Sequence, residues 1–198
     1  MVLNFYNNNT ILAPLKCGTR YLTECFGEKS DVISIHKLNR NLHQKTIDTI
    51  VIRPPYEHLE SALHTELLPI FDMDEVESML QTFQADWNYP EGGTHWSPTL
   101  YEKLYSYWSK NKRYNEIKII ELKDLSNYLN GIQKNLPKYD SQKYNFNHYK
   151  NWRSKDDIIL YVKQNYKTVW DNLMEQVSIS NKWYELLVTK TPIEIRLI

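Results

Sequence analysis

Cysteine is almost missing from this sequence: Cys17 and Cys25 are the two among 198 residues. A disulfide scaffold needs more, and a structural zinc site needs a tighter cluster. Both thiols are therefore expected to be free, which suits a reducing, cytoplasmic compartment. Net charge is missing too, because 24 Lys and Arg balance 24 Asp and Glu. A general nucleic-acid binder needs a basic excess, so that class is set aside, while a local basic pocket for a small anion stays open. No apolar run approaches the ~18 residues of a membrane helix. No basic segment followed by an apolar stretch opens the chain. The expectation is a cytoplasmic protein with neither a membrane nor a nucleic-acid partner. Glycine is sparse, at positions 18, 27, 92, 93 and 131, and no repeat or low-complexity tract occurs.

What is present is core material. The chain carries 15 Tyr, 6 Trp and 5 Phe, and its length suits one domain, residues 1–198, with a real hydrophobic core. The first strand pattern falls around Val2–Phe5 or Thr10–Ala13, with Asn7-Asn8-Asn9 as a turn between them; a second follows at Asp31–His36, a third at Thr49–Arg53 and a fourth at Glu116–Leu122. Helical spacing covers Thr19–Phe26, Tyr56–Leu67, Asp74–Phe83, Leu100–Trp108, Asp124–Leu129 and one long helix over Lys155–Gln176. Strands alternating with helices predict an α/β fold: a three-layer sandwich with a mainly parallel central sheet. Ligands in such sheets bind beyond the carboxyl ends of the strands. Lys16 and Arg53 both follow strands and should meet at that edge.

The stretch TILAPLKCGTRYLTECF orders strand, turn and helix. Gly18 lets a backbone come close to a ligand. The N–H groups at the following helix start favour negative charge. Lys16 adds a cation, Thr19 a hydroxyl and Arg20 a planar fork, so Lys16-Cys17-Gly18-Thr19-Arg20 makes a phosphate cradle. The bland alternative is a tight turn at Gly18, a helix cap at Thr19 and a solvated Lys16. In TIVIRPPYEHLESAL, Arg53 ends an apolar strand and Ser61 lies eight residues on. Together they can hold a second phosphate. The competing reading pairs Arg53 with Glu57 and leaves Ser61 as a small packing residue.

These two elements resemble the sulfotransferases that use 3′-phosphoadenosine 5′-phosphosulfate (PAPS). PLKCGTRYL is similar to the family's 5′-phosphosulfate loop, P-K-x-G-T-[TS], and IRPPYEHLESA to its 3′-phosphate motif, R-D-P-Y-x-R-x-x-S-A. THWSP at 94–98 resembles an H-W-x-P segment, and IKIIELKDL at 117–125 a strand and helix start carrying E-x-L-x-x-D, both in the carbohydrate sulfotransferases. The departures are Pro54 for the motif Asp, His58 for its second arginine, and Arg20 for the second hydroxyl.

The resemblance implies a P-loop-like fold and a PAPS-dependent sulfotransferase with a hydroxyl acceptor, a saccharide by preference. It also implies a basic loop over the nucleotide, for which Lys150 and Arg153 in YKNWRSKDD are the candidates, with Lys155 beside them. Sulfuryl transfer needs charge neutralised on the leaving phosphate, a task for Lys16 that requires no metal. A general base would help the acceptor. His43 is the first choice for it, His36 its rival, and His95 a base or a contact to acceptor or adenine. His58 and His64 are read as surface or packing residues. Trp87, Tyr89 and Trp96 fit an aromatic acceptor cleft as well as they fit a core. An ATP-dependent kinase would share the sheet and turn, but it needs Mg²⁺ and a lysine after the glycine, whereas Lys16 precedes Gly18. A non-catalytic nucleotide-binding relative is the other alternative, suggested by Pro54 and His58.

Overall fold

The computed structural model describes residues 2–6, 9–26, 30–32, 47–67, 73–84, 95–111, 113–132, 136 and 154–191. Five strands form one sheet in the order β3-β1-β2-β4-β5. They are β1 (Val2–Tyr6), β2 (Asn9–Ala13), β3 (Ser30–Val32), β4 (Thr49–Ile52) and β5 (Lys118–Glu121). β2, β4 and β5 run parallel, while β1 is antiparallel to both β2 and β3. A mainly parallel sheet was expected; half of the pairings are antiparallel instead. The reason is local: Tyr6 and Asn9 are joined by two residues, and so short a connection closes only an antiparallel hairpin. Asp31–His36 was expected as a strand, and β3 covers only its first two positions; residues 33–36 lie outside the described residues.

Asp48 ties the starts of the parallel strands together. Its carboxylate accepts from the Thr10 N–H at 2.8 Å, its own N–H donates to the Thr10 carbonyl, and its carbonyl accepts from the Lys118 N–H. Because side chains alternate along a strand, the sheet feeds two separate cores. Ile11, Ala13 and Val51 pack with Tyr21 and Leu22 of α1 (Thr19–Phe26) and with Leu125 and Leu129 of α5 (Leu125–Ile132). Leu12, Ile50 and Ile52 face the larger core. That core is shared by α2 (Pro55–Leu67), α3 (Met73–Gln84), α4 (Leu100–Lys110), α6 (Lys155–Asn165) and α7 (Lys167–Val188).

One long helix from Lys155 was expected; two are found. Tyr166, at φ −128°, ψ 50°, separates α6 from α7. Its N–H still bonds to Val162 and its carbonyl accepts from Trp170, so the break is not marked by proline or glycine. Helix α6 opens with a reciprocal capping box between Ser154 and Asp157. Among the described residues, no helix is long and apolar enough to cross a membrane.

Candidate functional site

The parallel register of β2 and β4 brings their carboxyl ends to one edge. The turn after β2 closes with the Cys17 N–H donating to the Pro14 carbonyl at 3.0 Å. Lys16 occupies its third position with φ 66°, a left-handed conformation that L residues enter at a cost of ~1–2 kcal/mol. Gly18 follows with φ 84°, and its carbonyl starts α1 by accepting from Leu22 at 2.9 Å.

Gly18 also has a packing reason to be small. A Cβ there would sit 2.7 Å from Leu122 Cδ1 and 2.9 Å from Leu125 Cδ2. The glycine lets the turn press onto the corner after β5. Cys17 is fully buried in the same core, and burial pushes its thiol up to about 12. It contributes packing and backbone to the turn and no nucleophile. Cys25 is also free, half-buried on α1. Arg20 is exposed, and the Thr19 carbonyl accepts from the Thr23 hydroxyl one turn on.

Arg53 holds this turn from below. Its Nη1 donates to the Lys16 carbonyl at 3.3 Å, and its Nε donates to Glu57 at 3.3 Å. The expected alternative pairing with Glu57 therefore exists alongside a contact to the turn. The Arg53 carbonyl accepts from the Tyr101 hydroxyl of α4 at 2.6 Å. Ser61 is half-buried two turns along α2, where its carbonyl accepts from Thr65.

Lys16 is the unusual charge. Burial, then Arg20, lower its pKa from 10.5 to about 8; Glu66 pulls it up and Arg53 pushes it further down. No ion pair among the described residues includes Lys16, whereas the surrounding carboxylates have partners. Glu57 meets Arg53, Glu60 meets Lys155, and Glu66 meets His95. A mostly buried ammonium beside two guanidinium groups is an incomplete arrangement, and an anion would complete it.

The histidines sort clearly. His58 is fully buried, at the position of the motif's second arginine. A carbonyl can only accept, so His58 donates Nε2–H to the His95 carbonyl at 3.1 Å, while its Nδ1 lies 3.2 Å from the Tyr101 hydroxyl. Burial, then Arg53, drive its pKa down to about 3, although hydrogen bonding to the Leu15 and His95 carbonyls opposes this. It is a neutral packing residue, as expected. The half-buried His64 is lowered by burial, then by Lys155 and Lys16. His95 lies just before α4, where Glu66 accepts from both its N–H and its Nδ1–H. His36, His43, Lys150, Arg153, Trp87 and Tyr89 lie outside the described residues.

Trp96 is fully buried, so it belongs to the core rather than to an acceptor cleft. Its ring meets His58 edge-on at 5.6 Å, and its indole N–H donates to Gln176 of α7. Glu66, Glu60 and Tyr101 were not picked out in the sequence. Each acts through a partner 29 to 95 residues away, and no local pattern marks such pairs. Among the described residues, no group of three or more His, Cys, Asp or Glu is placed to hold a metal ion. No family model, curated protein or solved structure matches this chain.

Proposed function

We propose that this chain is a PAPS-dependent sulfotransferase acting on a hydroxyl acceptor, with a saccharide as the favoured class, on a P-loop-like three-layer α/β domain. The observation that carries the reading is Lys16: a mostly buried ammonium on a left-handed turn between a parallel strand and a helix start, lowered to about 8 and flanked by Arg20 and Arg53. Such a group calls for a polyanion, and the residues around it fit one. When bound, PAPS supplies an activated sulfonate.

Lys16 would sit against the bridging oxygen of the leaving phosphate and offset its developing charge. Thr19 and the first N–H groups of α1 would bind the same phosphate. Arg53 has five N–H donors, two of which make the bonds to Lys16 and Glu57. The others would take the 3′-phosphate, with Ser61 beside them. Lys150 and Arg153 remain the proposed cover of the nucleotide.

The test is calorimetric titration with 3′-phosphoadenosine 5′-phosphate, beside ADP and ATP with Mg²⁺. Preference for the 3′,5′-bisphosphate without metal supports the reading, and ATP binding alone would favour the kinase. Arg53→Ala should weaken the bisphosphate on the order of 10-fold or more, as loss of a charge-assisted pair implies. The analogue without the 3′-phosphate should change far less, and equal weakening of both removes Arg53 from the 3′ site.

His58 favours a second reading. A neutral, fully buried imidazole lends no charge where the motif has its second arginine. A relative that binds nucleotide without transferring sulfonate fits that feature. Binding of the bisphosphate with no turnover of PAPS over a broad acceptor panel would select it.

A further inference from the structure

We propose that Glu66 and His95 form the proton-accepting pair on the acceptor side of the site, with His95 as the catalytic base and Glu66 as the residue that positions it. This rests on the sulfotransferase reading above. His95 is gripped at three points. Its N–H donates to Glu66 Oε1 at 3.2 Å and its Nδ1–H to the same oxygen, while its carbonyl accepts from His58 Nε2 at 3.1 Å. Both gripping residues come from α2, the helix that follows Arg53. The neighbouring chain is anchored as well: Trp96 is fully buried, and the Ser180 hydroxyl of α7 donates to the Pro98 carbonyl at 3.3 Å.

A carboxylate on Nδ1–H sets the tautomer, which puts the imidazole lone pair on Nε2. The side chains of His95 and Glu66 keep 20% and 18% exposure, enough for a solute to reach them and too little for free rotation. Glu66 also acts electrostatically on Lys16, and its helix follows Arg53, whose Nη1 donates to the Lys16 carbonyl. The other described histidines suit the task less. His58 spends its N–H on a carbonyl inside the core, and His64 is held down by burial and by Lys155 and Lys16.

In the step, the acceptor hydroxyl gives its proton to His95 Nε2 as its oxygen bonds to sulfur. The sulfur–oxygen bond to the 5′-phosphate breaks, and its electron pair stays on the phosphate oxygen beside Lys16. Glu66 stabilises the imidazolium that forms.

The experiment uses Glu66→Gln, Glu66→Asp, His95→Asn and the Glu66→Gln/His95→Asn double variant. Three quantities are read: affinity for 3′-phosphoadenosine 5′-phosphate, sulfate release from PAPS with water as the probe acceptor, and the ¹⁵N imidazole spectrum. The affinity should hold within about twofold in His95→Asn and Glu66→Asp, and should not fall in the two Glu66→Gln variants, which remove a negative charge acting on Lys16. Sulfate release should fall on the order of 100-fold in kcat for Glu66→Gln and for His95→Asn, with KM unchanged. The double variant should be no slower, because the two act as one unit, and Glu66→Asp should recover part of the rate. The wild-type spectrum should show protonated Nδ1 at His95, lost in Glu66→Gln.

With bisphosphate binding intact, four results each overturn the pair: independent multiplying losses, an unchanged kcat, wild-type release no faster than buffer, or an Nε2–H tautomer at His95. Failure of the wild type to bind the bisphosphate overturns the sulfotransferase reading itself, and this proposal with it.

Discussion

Replacing Lys16 by methionine should make the protein more stable at pH 7 while abolishing its proposed use. Lys16 titrates at about 8 in the folded chain against 10.5 for an ordinary lysine. At ~1.4 kcal/mol per pKa unit, keeping the ammonium charged in the fold costs on the order of 3 kcal/mol. Residual exposure screens part of this, so a gain of ~1–3 kcal/mol is expected. Methionine keeps an unbranched stem and bears the same left-handed φ, so the backbone contribution cancels. For a chain of this size the gain is a rise in Tm of roughly 2–10 °C.

The pH dependence is the sharper readout. Below pH 8 both the folded and unfolded wild-type chains hold the proton, and the cost is constant. Between pH 8 and 10.5 the unfolded chain holds more protons than the folded one, so wild-type stability rises with pH. The advantage of the variant should therefore be largest below pH 8 and vanish above 10.5. Thermal unfolding followed by circular dichroism at pH 7 and 10.5 measures both. Destabilisation at pH 7, or an advantage independent of pH, would refute the account of Lys16 as a buried cation with no ion pair among the described residues.

Two further outcomes follow from the same region. Gly18→Ala should cost ~2–4 kcal/mol in urea unfolding, combining a left-handed φ with a forced contact on two buried leucines; Leu122→Ala in the same chain should recover part of that loss, and full additivity would separate the two sites. His58, held near 3, remains neutral in the fold while the unfolded chain takes up its proton below 6.5. It therefore withdraws stability as pH falls from 6.5 towards 3. Between pH 7 and 4.5, wild type should lose ~2–3 kcal/mol more than His58→Gln, and equal losses in urea midpoints at the two pH values would contradict this.

Much of the framework was legible in local pattern. Apolar runs such as TIVI mark a strand buried on both faces, and Pro54-Pro55 ends it because proline gives no ladder donor. The strand–turn–helix from Thr10 to Phe26 follows from chain order, as does the placing of Lys16 and Arg53 at one edge of a parallel pair. The break at Tyr166 was not legible. Helical spacing continues across it, with Val162, Trp170 and Leu173 all buried, so only packing distinguishes two helices from one.

Sequence alone determined which residues can carry charge at the site and which elements present them, because backbone periodicity and turn chemistry act over a few residues. Tertiary structure decided what each group meets. The fold buries Lys16 with no ion pair among the described residues, makes His58 a neutral core residue, turns Gly18 toward Leu122 and Leu125, and brings Glu66 to His95. Desolvation and long-range pairing set protonation and packing, and both arise only when segments distant in the chain close on one another.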